Sequence, residues 1–499
     1  MKTFLDGRWL GLSTLLASFL LVGCSLAPTY VKPDVNAPQA YKEAPLSIAE
    51  SGTWKTAQPS EQIQRGEWWT VFNDTTLNDL EAQAIGANQN LQATAARLKE
   101  SRAIQTTVSA GLFPKFDAGF GPTRERASPA SLLLPDDAKV PTQTLWRAQA
   151  TASYEVDLFG RVSDSVAAAK AQTQQSEALF RSVQLALQAD VAQNYFRLRE
   201  LDAESDVYNN TVSLREQTLS LVQHRFDEGD ISELDVARAK SELATARSDA
   251  MTVQRQRSIS EHSLAVLLGK SPAQFSMAAS PLAPIDIQIP AGLPSSLLER
   301  RPDIAAAERA MAAANSRIGV AKSAYFPSLN LTGAGGFESA TLGDLFHWSS
   351  RAFLLGPLAG TELAVPLFDG GRRKGNLANA RATYEENVAT YRQQVLVAFQ
   401  EVEDNLSDLR ILEDQTKTQA DAVAASIRAA VISRTQYTEG ATQYLDLIDA
   451  QRTVLQSRLA AVQLTGIQAV STVNLIRALG GGWGGETVMP ASNVNVAAR

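Results

Sequence analysis

The sequence predicts an α+β membrane protein. Long α-helical coiled-coil hairpins are joined to short β-strands that several chains must pool to close a barrel. Three observations predict this. Two stretches of more than sixty residues, Arg161 to Glu228 and Asn376 to Glu439, contain neither glycine nor proline. Four shorter blocks alternate apolar and polar residues. The chain also repeats itself: "FDEGDISELDVARAK" from Phe226 and "YTEGATQYLDLIDAQ" from Tyr437 align Glu-Gly, Leu-Asp and Ala at a spacing of 211 residues.

The amino terminus comes first. Lys2 and Arg8 precede the apolar run "LGLSTLLASFLLVG", whose 14 residues fall short of the ~20 that cross a bilayer as a helix. The run fits the apolar part of a secretory signal. It closes Leu21-Val22-Gly23-Cys24, which resembles a bacterial lipobox: residues 1–23 are removed and a diacylglycerol is attached to the Cys24 thiol. A plain signal peptide with an incidental cysteine is the alternative. Cys24 is the chain's one cysteine and lies where lipidation needs it, so no intrachain disulfide or thiolate metal cluster can form. Ser25, not Asp, follows; by resemblance to known lipoproteins this favours sorting to the outer membrane. The net charge of −7 over 499 residues argues against non-specific nucleic-acid binding.

The repeat extends in both directions. Asn194 answers Asn405, Arg199 answers Arg410, and Leu268-Gly269 answers Leu479-Gly480. Upstream, "LFPKFDAGF" from Leu112 answers "YFPSLNLTG" from Tyr325 at a spacing of 213. A match over so much chain reads as a duplication. The boundaries expected are a lipidated equatorial segment 24–64, a first repeat 65–269, a Pro-rich linker 270–302, a second repeat 303–480 and a tail 481–499. Each repeat holds a β-hairpin (113–159 and 326–368) and a long helical hairpin.

In the first long helix, Leu187, Val191, Asn194, Leu198, Leu201, Ser205, Tyr208, Val212, Arg215, Leu219, Val222 and Phe226 alternate steps of four and three. That is a heptad seam, mostly apolar, as a coiled coil requires; a soluble bundle core has the same period. At 1.5 Å per residue the helix is about 100 Å long, more than most globular bundles use. Shorter limbs are expected over Leu77–Leu112, Ile231–Leu268, Asp303–Tyr325 and Thr442–Leu479. Gly229 and Gly440 break the long helices and reverse the chain at two hairpin tips, because glycine supplies the left-handed backbone of a reversal. Ser232, or Thr442, is placed to cap the return helix.

In "TLWRAQATASYEVDL", Trp146, Ala148, Ala150, Ala152, Tyr154 and Val156 share one face, while Arg147, Gln149, Thr151, Ser153, Glu155 and Asp157 share the other. "KFDAGF", "PSLNLTGAGGF" and "TELAVPL" alternate too. About ten residues suffice for a tilted membrane strand, and Trp146 and Tyr154 suit an aromatic girdle. A half-buried strand of a soluble sheet is the alternative; the export signal favours the barrel. Four strands per chain cannot close a barrel, and an open edge in lipid leaves backbone groups unpaired. The protein is therefore expected to be an oligomer; three copies make twelve strands and six tips.

Catalytic chemistry is absent from the motifs. There is no P-loop and no G-x-S-x-G nucleophile. His224, His262 and His347 are scattered without metal-ligand spacing. No enzyme activity, metal or cofactor is expected beyond the lipid at Cys24.

The stretches "CSLAPTYVKP", "WWTVFNDTTLNDL", "LLERRPDIAAAERAMAAANSRIGVAKSAYFPSLNLTG", "PLFDGGRR" and "AFQEVEDNL" together resemble the TolC-like outer membrane factors, specifically the NodT/OprM-type efflux lipoproteins. The resemblance runs from Cys24 to about Gly482. It implies a homotrimer with a twelve-stranded outer-membrane barrel, a helical periplasmic tunnel and a mixed equatorial collar. The partners implied are a periplasmic adaptor and an inner-membrane transporter of the RND type; the cargo is drugs or other small toxic compounds. A type I protein-secretion duct shares the fold, although the lipobox favours efflux. Metal-ion efflux is a further reading, disfavoured for copper or silver by having only four methionines after the initiator. A periplasmic scaffold lipoprotein lies in another class, and the strand alternation argues against it.

Two sites follow. The hairpin tips, with Glu228, Gly229, Asp230, Ile231, Glu439, Gly440 and Ala441, are expected to meet the adaptor. Leu445, Asp449 and Arg452 lie four and three residues apart on one helix face, and OprM-like proteins carry the same residue types at matching positions of their constriction. They are the expected periplasmic gate, with Asp446 adding negative charge at the entrance. Their first-repeat equivalents are Leu234, Arg238 and Ser241, so the charged pair is not reproduced there. That asymmetry predicts that the second hairpin faces inward.

Overall fold

The computed structural model describes residues 25–34, 38, 41–43, 67–283, 300–356 and 360–481. The expected signal peptide 1–23, Cys24, most of the segment to residue 66, linker residues 284–299 and nearly all of the tail lie outside them. The chain forms two compact units. The first comprises Met1–Asp34, Leu98–Ser176 and Ala307–Tyr391, and the second Val35–Arg97, Glu177–Ala306 and Arg392–Arg499.

The first unit carries an antiparallel sheet. Strands β1 (Lys115–Glu125), β2 (Gln143–Val156), β3 (Ser328–Ser339) and β4 (Arg351–Leu355) are neighbours in chain order, and β5 (Thr361–Ala364) also pairs with β3. The sequence led us to expect four strands; the fourth is broken in two. Leu355 pairs with Gly333 while Thr361 pairs with Leu331, so five residues stand against one. The interruption is flanked by Gly356, where a Cβ would strike the Thr332 hydroxyl, and by Gly360, whose φ is +95°. Strand structure also stops at Ala364, short of the expected "TELAVPL".

Register places the apolar residues on one face. Phe116 lies opposite Ala152, Phe120 opposite Ala148, Tyr154 opposite Leu331, and Gly335 opposite Phe353. Phe120 stacks on Trp146 with ring centroids 6.0 Å apart. Phe116 is 75% exposed and Phe353 82% exposed, so this face is open. On the other face Arg147 joins three strands, its Nη2 2.7 Å from Glu125 Oε2 and its Nε 2.6 Å from Glu338 Oε2. Among the described residues, the outer edges of β1 and of β4 and β5 have no partner strand.

The helices are α1 (Thr75–Ala87), α2 (Gln89–Ser109), α3 (Arg161–Asp227), α4 (Glu233–Leu267), α5 (Pro302–Ser323), α6 (Arg372–Thr438) and α7 (Tyr444–Ala478). Both α3 and α6 have 67 residues, and both α4 and α7 have 35. The start of α3 is capped by Asp157, which accepts from Val162 N at 2.9 Å and Ser163 N at 2.7 Å. Asp369 caps α6 in the same way, accepting from Arg373 N at 3.1 Å, so α6 begins at Arg372 rather than at the expected Asn376. The expected single limb Leu77–Leu112 is two helices. Asn88 takes an extended backbone (ψ 123°), and its Oδ1 accepts from Leu91 N at 3.0 Å to cap α2. Its Nδ2 donates to Leu267 O at 2.9 Å, which holds the break against the end of α4.

The core of the second unit gathers Trp68 and Trp69 from a 3-10 turn (Trp68–Phe72), Leu77, Leu80 and Ala84 of α1, and Leu187, Val191 and Leu198 of α3. Leu264 of α4 and Val473 and Ile476 of α7 complete it. Non-helical segments dock on this bundle beside Arg199 and Arg410, two positions 211 apart. Arg199 Nη1 donates to Ala278 O at 2.7 Å, and Asp202 Oδ2 accepts from Ser280 N at 2.9 Å. Arg410 pairs with Glu43 at 2.7 Å, while Glu403 accepts from Lys42 N and Glu43 N at 2.8 and 3.0 Å.

Candidate functional site

The two reversals in the second unit share one backbone design. Asp230 N donates to Arg225 O at 2.9 Å and Ala441 N to Gln436 O at 2.7 Å, the six-to-one bond of a Schellman helix end. Gly229 (φ +85°) and Gly440 (φ +77°) supply the left-handed residue this bond needs. Nothing lies within 4 Å of where their Cβ atoms would be, so conformation rather than crowding selects glycine. Glu228, Asp230, Glu439 and Ala441 are exposed; Ile231 is half-buried and packs on the apolar cluster beneath the tips. Ser232 occupies the N-cap of α4 but caps no backbone N–H; its hydroxyl lies 3.5 Å from Asp235 Oδ2. The N-cap of α7 is Gln443, not the expected Thr442, whose hydroxyl instead donates to the Asp446 carboxylate.

That cluster joins the two hairpins. Val222, Val236 and Ala239 of the first meet Tyr437, Tyr444, Leu447 and Ile448 of the second. Tyr437 and Tyr444 lie 5.7 Å apart. The Arg225 guanidinium sits 4.9 Å from the Tyr437 ring and donates to Tyr437 O at 2.9 Å. Burial pushes the Tyr444 hydroxyl up to about 12.

Leu445, Asp446, Asp449 and Arg452 are all exposed on α7. Arg452 Nη1 is 3.6 Å from Asp449 Oδ1. Its stronger partner is Glu242 of α4: Arg452 Nε donates to Glu242 Oε1 at 3.1 Å, and Nη2 donates to the same oxygen. The hydrogen bond to Glu242 and the charges of Glu242 and Asp449 outweigh slight burial and raise the Arg452 pKa further. Glu242 Oε2 lies 3.1 Å from Arg215 Nη2 of α3, and Arg215 is 3% exposed. Arg215 Nη1 donates to Gln451 Oε1 at 2.6 Å, and Gln451 Nε2 donates to Thr218 Oγ1 at 3.3 Å. One network thus links the first hairpin to α7. The sequence pairs Arg452 with Asp449 and says nothing of Glu242. Arg215 was visible as a charged residue in the heptad seam, the sign of a buried partner. Glu242 had no local signal. In the first hairpin, Arg238 lies 3.4 Å from Asp235, and Leu234 is exposed; Ser241 offers no charge there.

His224 lies 3.1 Å from Glu228 and His347 3.4 Å from Asp344, both pairs exposed. Among the described residues no group of three His, Cys, Asp or Glu side chains is placed to hold a metal.

The fold and these hairpins have counterparts. The outer membrane efflux protein family model matches residues 80–270 and again 293–481. The toluene efflux pump outer membrane protein TtgF of Pseudomonas putida is 33% identical over 486 residues, covering 96% of this chain and 98% of TtgF. The cation efflux system protein CusC of Escherichia coli is 30% identical over 466 residues, covering 93% and 96% of the two chains. The solved structure of the outer-membrane channel OprN superposes with a TM-score of 0.82 at 29% identity, over 93% of this chain and all of that one. The chain belongs to the outer membrane efflux protein family, whose members are channels of the efflux machinery with this mixture of long helices and strands.

Proposed function

We propose that the protein is the outer-membrane duct of a tripartite efflux pump: a passive, gated conduit that carries drugs or other small toxic compounds outward. The observation that carries this reading is the sheet. It is apolar on one face and polar on the other, and among the described residues both of its edges are open. Such a sheet is stable in lipid only when closed by copies of itself. Three copies make a twelve-stranded barrel whose exposed Phe116, Phe120 and Phe353 face lipid and whose Arg147 network lines the lumen. The equal lengths of α3 and α6 and of α4 and α7 support two repeats per chain, and so six hairpins per trimer.

The tips at Gly229 and Gly440 are the docking points for a periplasmic adaptor, which couples the duct to an inner-membrane transporter of the RND type. Leu445, Asp449 and Arg452 form the resting constriction, with Asp446 at its entrance. Arg452 is held by Glu242, so opening requires that bond to part. The mature chain begins at a lipidated Cys24. No metal or other cofactor takes part.

Reconstitution in planar bilayers tests the proposal. The expected result is discrete, voltage-independent pores from a species that migrates as a trimer on gels and collapses to monomer on heating. Expression in a strain lacking its own exit duct, together with the cognate pump and adaptor, should restore drug tolerance. A heat-insensitive monomer that forms no pores sinks the reading.

A further inference from the structure

The first unit makes the same strand-to-helix turn twice. "DLFGR" (Asp157–Arg161) leads from β2 into α3, and "PLFDGGR" (Pro366–Arg372) leads from β5 into α6. In the first copy the apolar pair is partly covered and the cation is bonded. Leu158 and Phe159 are half-buried, and Phe159 stacks on Phe326 with ring centroids 4.8 Å apart. Arg161 Nε donates to Glu155 Oε1 at 2.5 Å, and Asp164 puts a carboxylate in the first turn of α3. In the second copy Leu367 and Phe368 are each 91% exposed. Arg372, Arg373 and Lys374 open α6, and no acidic residue stands in its first turn. Arg373 is bonded: its Nε donates to Asp369 Oδ2 and its Nη1 to Pro366 O, both at 2.7 Å. Arg372 and Lys374 are exposed, and neither side chain has a partner among the described residues.

Cations in a first turn oppose the helix dipole, and the first copy shows that the turn folds without them. The helix surface between the two free cations is bare. Successive helical residues are rotated by about 100°, so Gly375 lies between Arg372, about 60° to one side, and Lys374, about 100° to the other. Nothing lies within 4 Å of where a Cβ of Gly375 would stand. Glycine weakens a helix, and here no crowding calls for it. The apolar face of the sheet leads directly to this gap. Leu363 pairs with Leu329, and Leu329 with Val156. Val365 and Leu367 follow Leu363 at alternate positions, both exposed.

We propose that this turn binds an anionic phospholipid, of the phosphatidylglycerol class, in the leaflet on the helical side of the sheet. This rests on the reading that the apolar face of the sheet lies against lipid. The phosphate sits over Gly375 between the Arg372 and Lys374 side chains, and Leu367 and Phe368 meet the acyl chains. Aromatic residues at the boundary of the apolar layer, followed by unpaired cations, match the order of acyl chain and headgroup. A free phosphate ion would answer the cations alone and leave the apolar pair in water.

The test uses the full-length chain in vesicles of equal parts phosphatidylglycerol and phosphatidylcholine. Lipid retained after mild extraction is counted by native mass spectrometry, and pores are recorded from the same preparation. The site predicts about ten-fold more phosphatidylglycerol than phosphatidylcholine on the unchanged chain. Arg372→Gln with Lys374→Gln should bring that ratio close to one. Lys240→Gln with Lys417→Gln removes the same charge from exposed positions of the helical hairpins and should leave the ratio as it was. Gly375→Leu should lower it with every charge in place. Equal amounts of the two lipids on the unchanged chain, an unaltered ratio in the Arg372/Lys374 variant, or displacement of the lipid by millimolar inorganic phosphate overturn the site. Pores without enrichment overturn the lipid site alone. Enrichment without pores overturns the duct reading and leaves the lipid site standing.

Discussion

Glu81 of α1 is fully buried, and neither carboxylate oxygen has a hydrogen-bond partner among the described residues. Burial raises its pKa from 4.5 to about 9, so it is protonated in the folded protein at neutral pH. Its folded pKa exceeds the unfolded one. Its contribution is therefore most favourable below the unfolded value and is lost as pH rises toward the folded value. Glu81→Gln should remove that slope and stabilise by roughly 1–3 kcal/mol at pH 8. Thermal midpoints from pH 5 to pH 9 check this; parallel curves for parent and variant would refute it. A second residue departs from its usual rule. Gly466 lies inside α7, where glycine normally costs about 1 kcal/mol relative to alanine. Here a Cβ would strike the buried Glu200 carboxyl. Gly466→Ala should therefore destabilise by about 1–3 kcal/mol, the usual result of overpacking. A higher urea midpoint in the variant would contradict the packing.

At the scale of elements, the two helical hairpins are alike in length and in how they end, but not in what they carry. The tips are exposed and end in a residue with positive φ. If the tips dock the adaptor, bulky replacement of Gly229 and Gly440 together should abolish drug tolerance while heat-labile trimers persist, because the change falls on exposed turns and not on the core. Full tolerance in the double variant would remove the tips from the adaptor contact. The proposed constriction has its charged pair on the second hairpin only. An exposed ion pair contributes about 1 kcal/mol or less, so Arg452 with Asp449 is a weak tie. Its bonds to Glu242 add to it, and Glu242 is itself anchored by buried Arg215. Glu242→Gln should therefore reproduce much of the effect of Asp449→Ala with Arg452→Ala: larger single-channel conductance and greater vancomycin entry, at unchanged trimer yield. If only the Asp449/Arg452 variant opens the channel, Glu242 does not hold the constriction.

For the whole molecule, the proposed barrel and the proposed lipid anchor make separate demands: the barrel would need other copies of the sheet, and the acyl group would need Cys24. Palmitate incorporation should vanish in Cys24→Ala, while the heat-labile trimer still forms, since strand pairing does not depend on the lipid. Persistent palmitate label in that variant would mean that the acylated residue is not Cys24.

The lengths of the long helices, their reversal at Gly229 and Gly440, the two faces of β2 and the recurrence at 211 residues were all determined by the sequence itself. Each depends on residues no more than four apart, or on direct repetition, so periodicity is enough to read it. The family followed from motifs spread over nearly the whole chain. Tertiary structure alone decided the rest. Asn88 breaks a helix because Leu267, 179 residues away, receives its amide. Residue 356 is glycine because Thr332, on the neighbouring strand, leaves no room for a side chain there. Arg452 bonds Glu242 across 210 residues in addition to standing 3.6 Å from Asp449 three away. Ser25 finds Asp164 across 139 residues. In each case the neighbour that decides the outcome was set by which distant segments the packed core brought alongside.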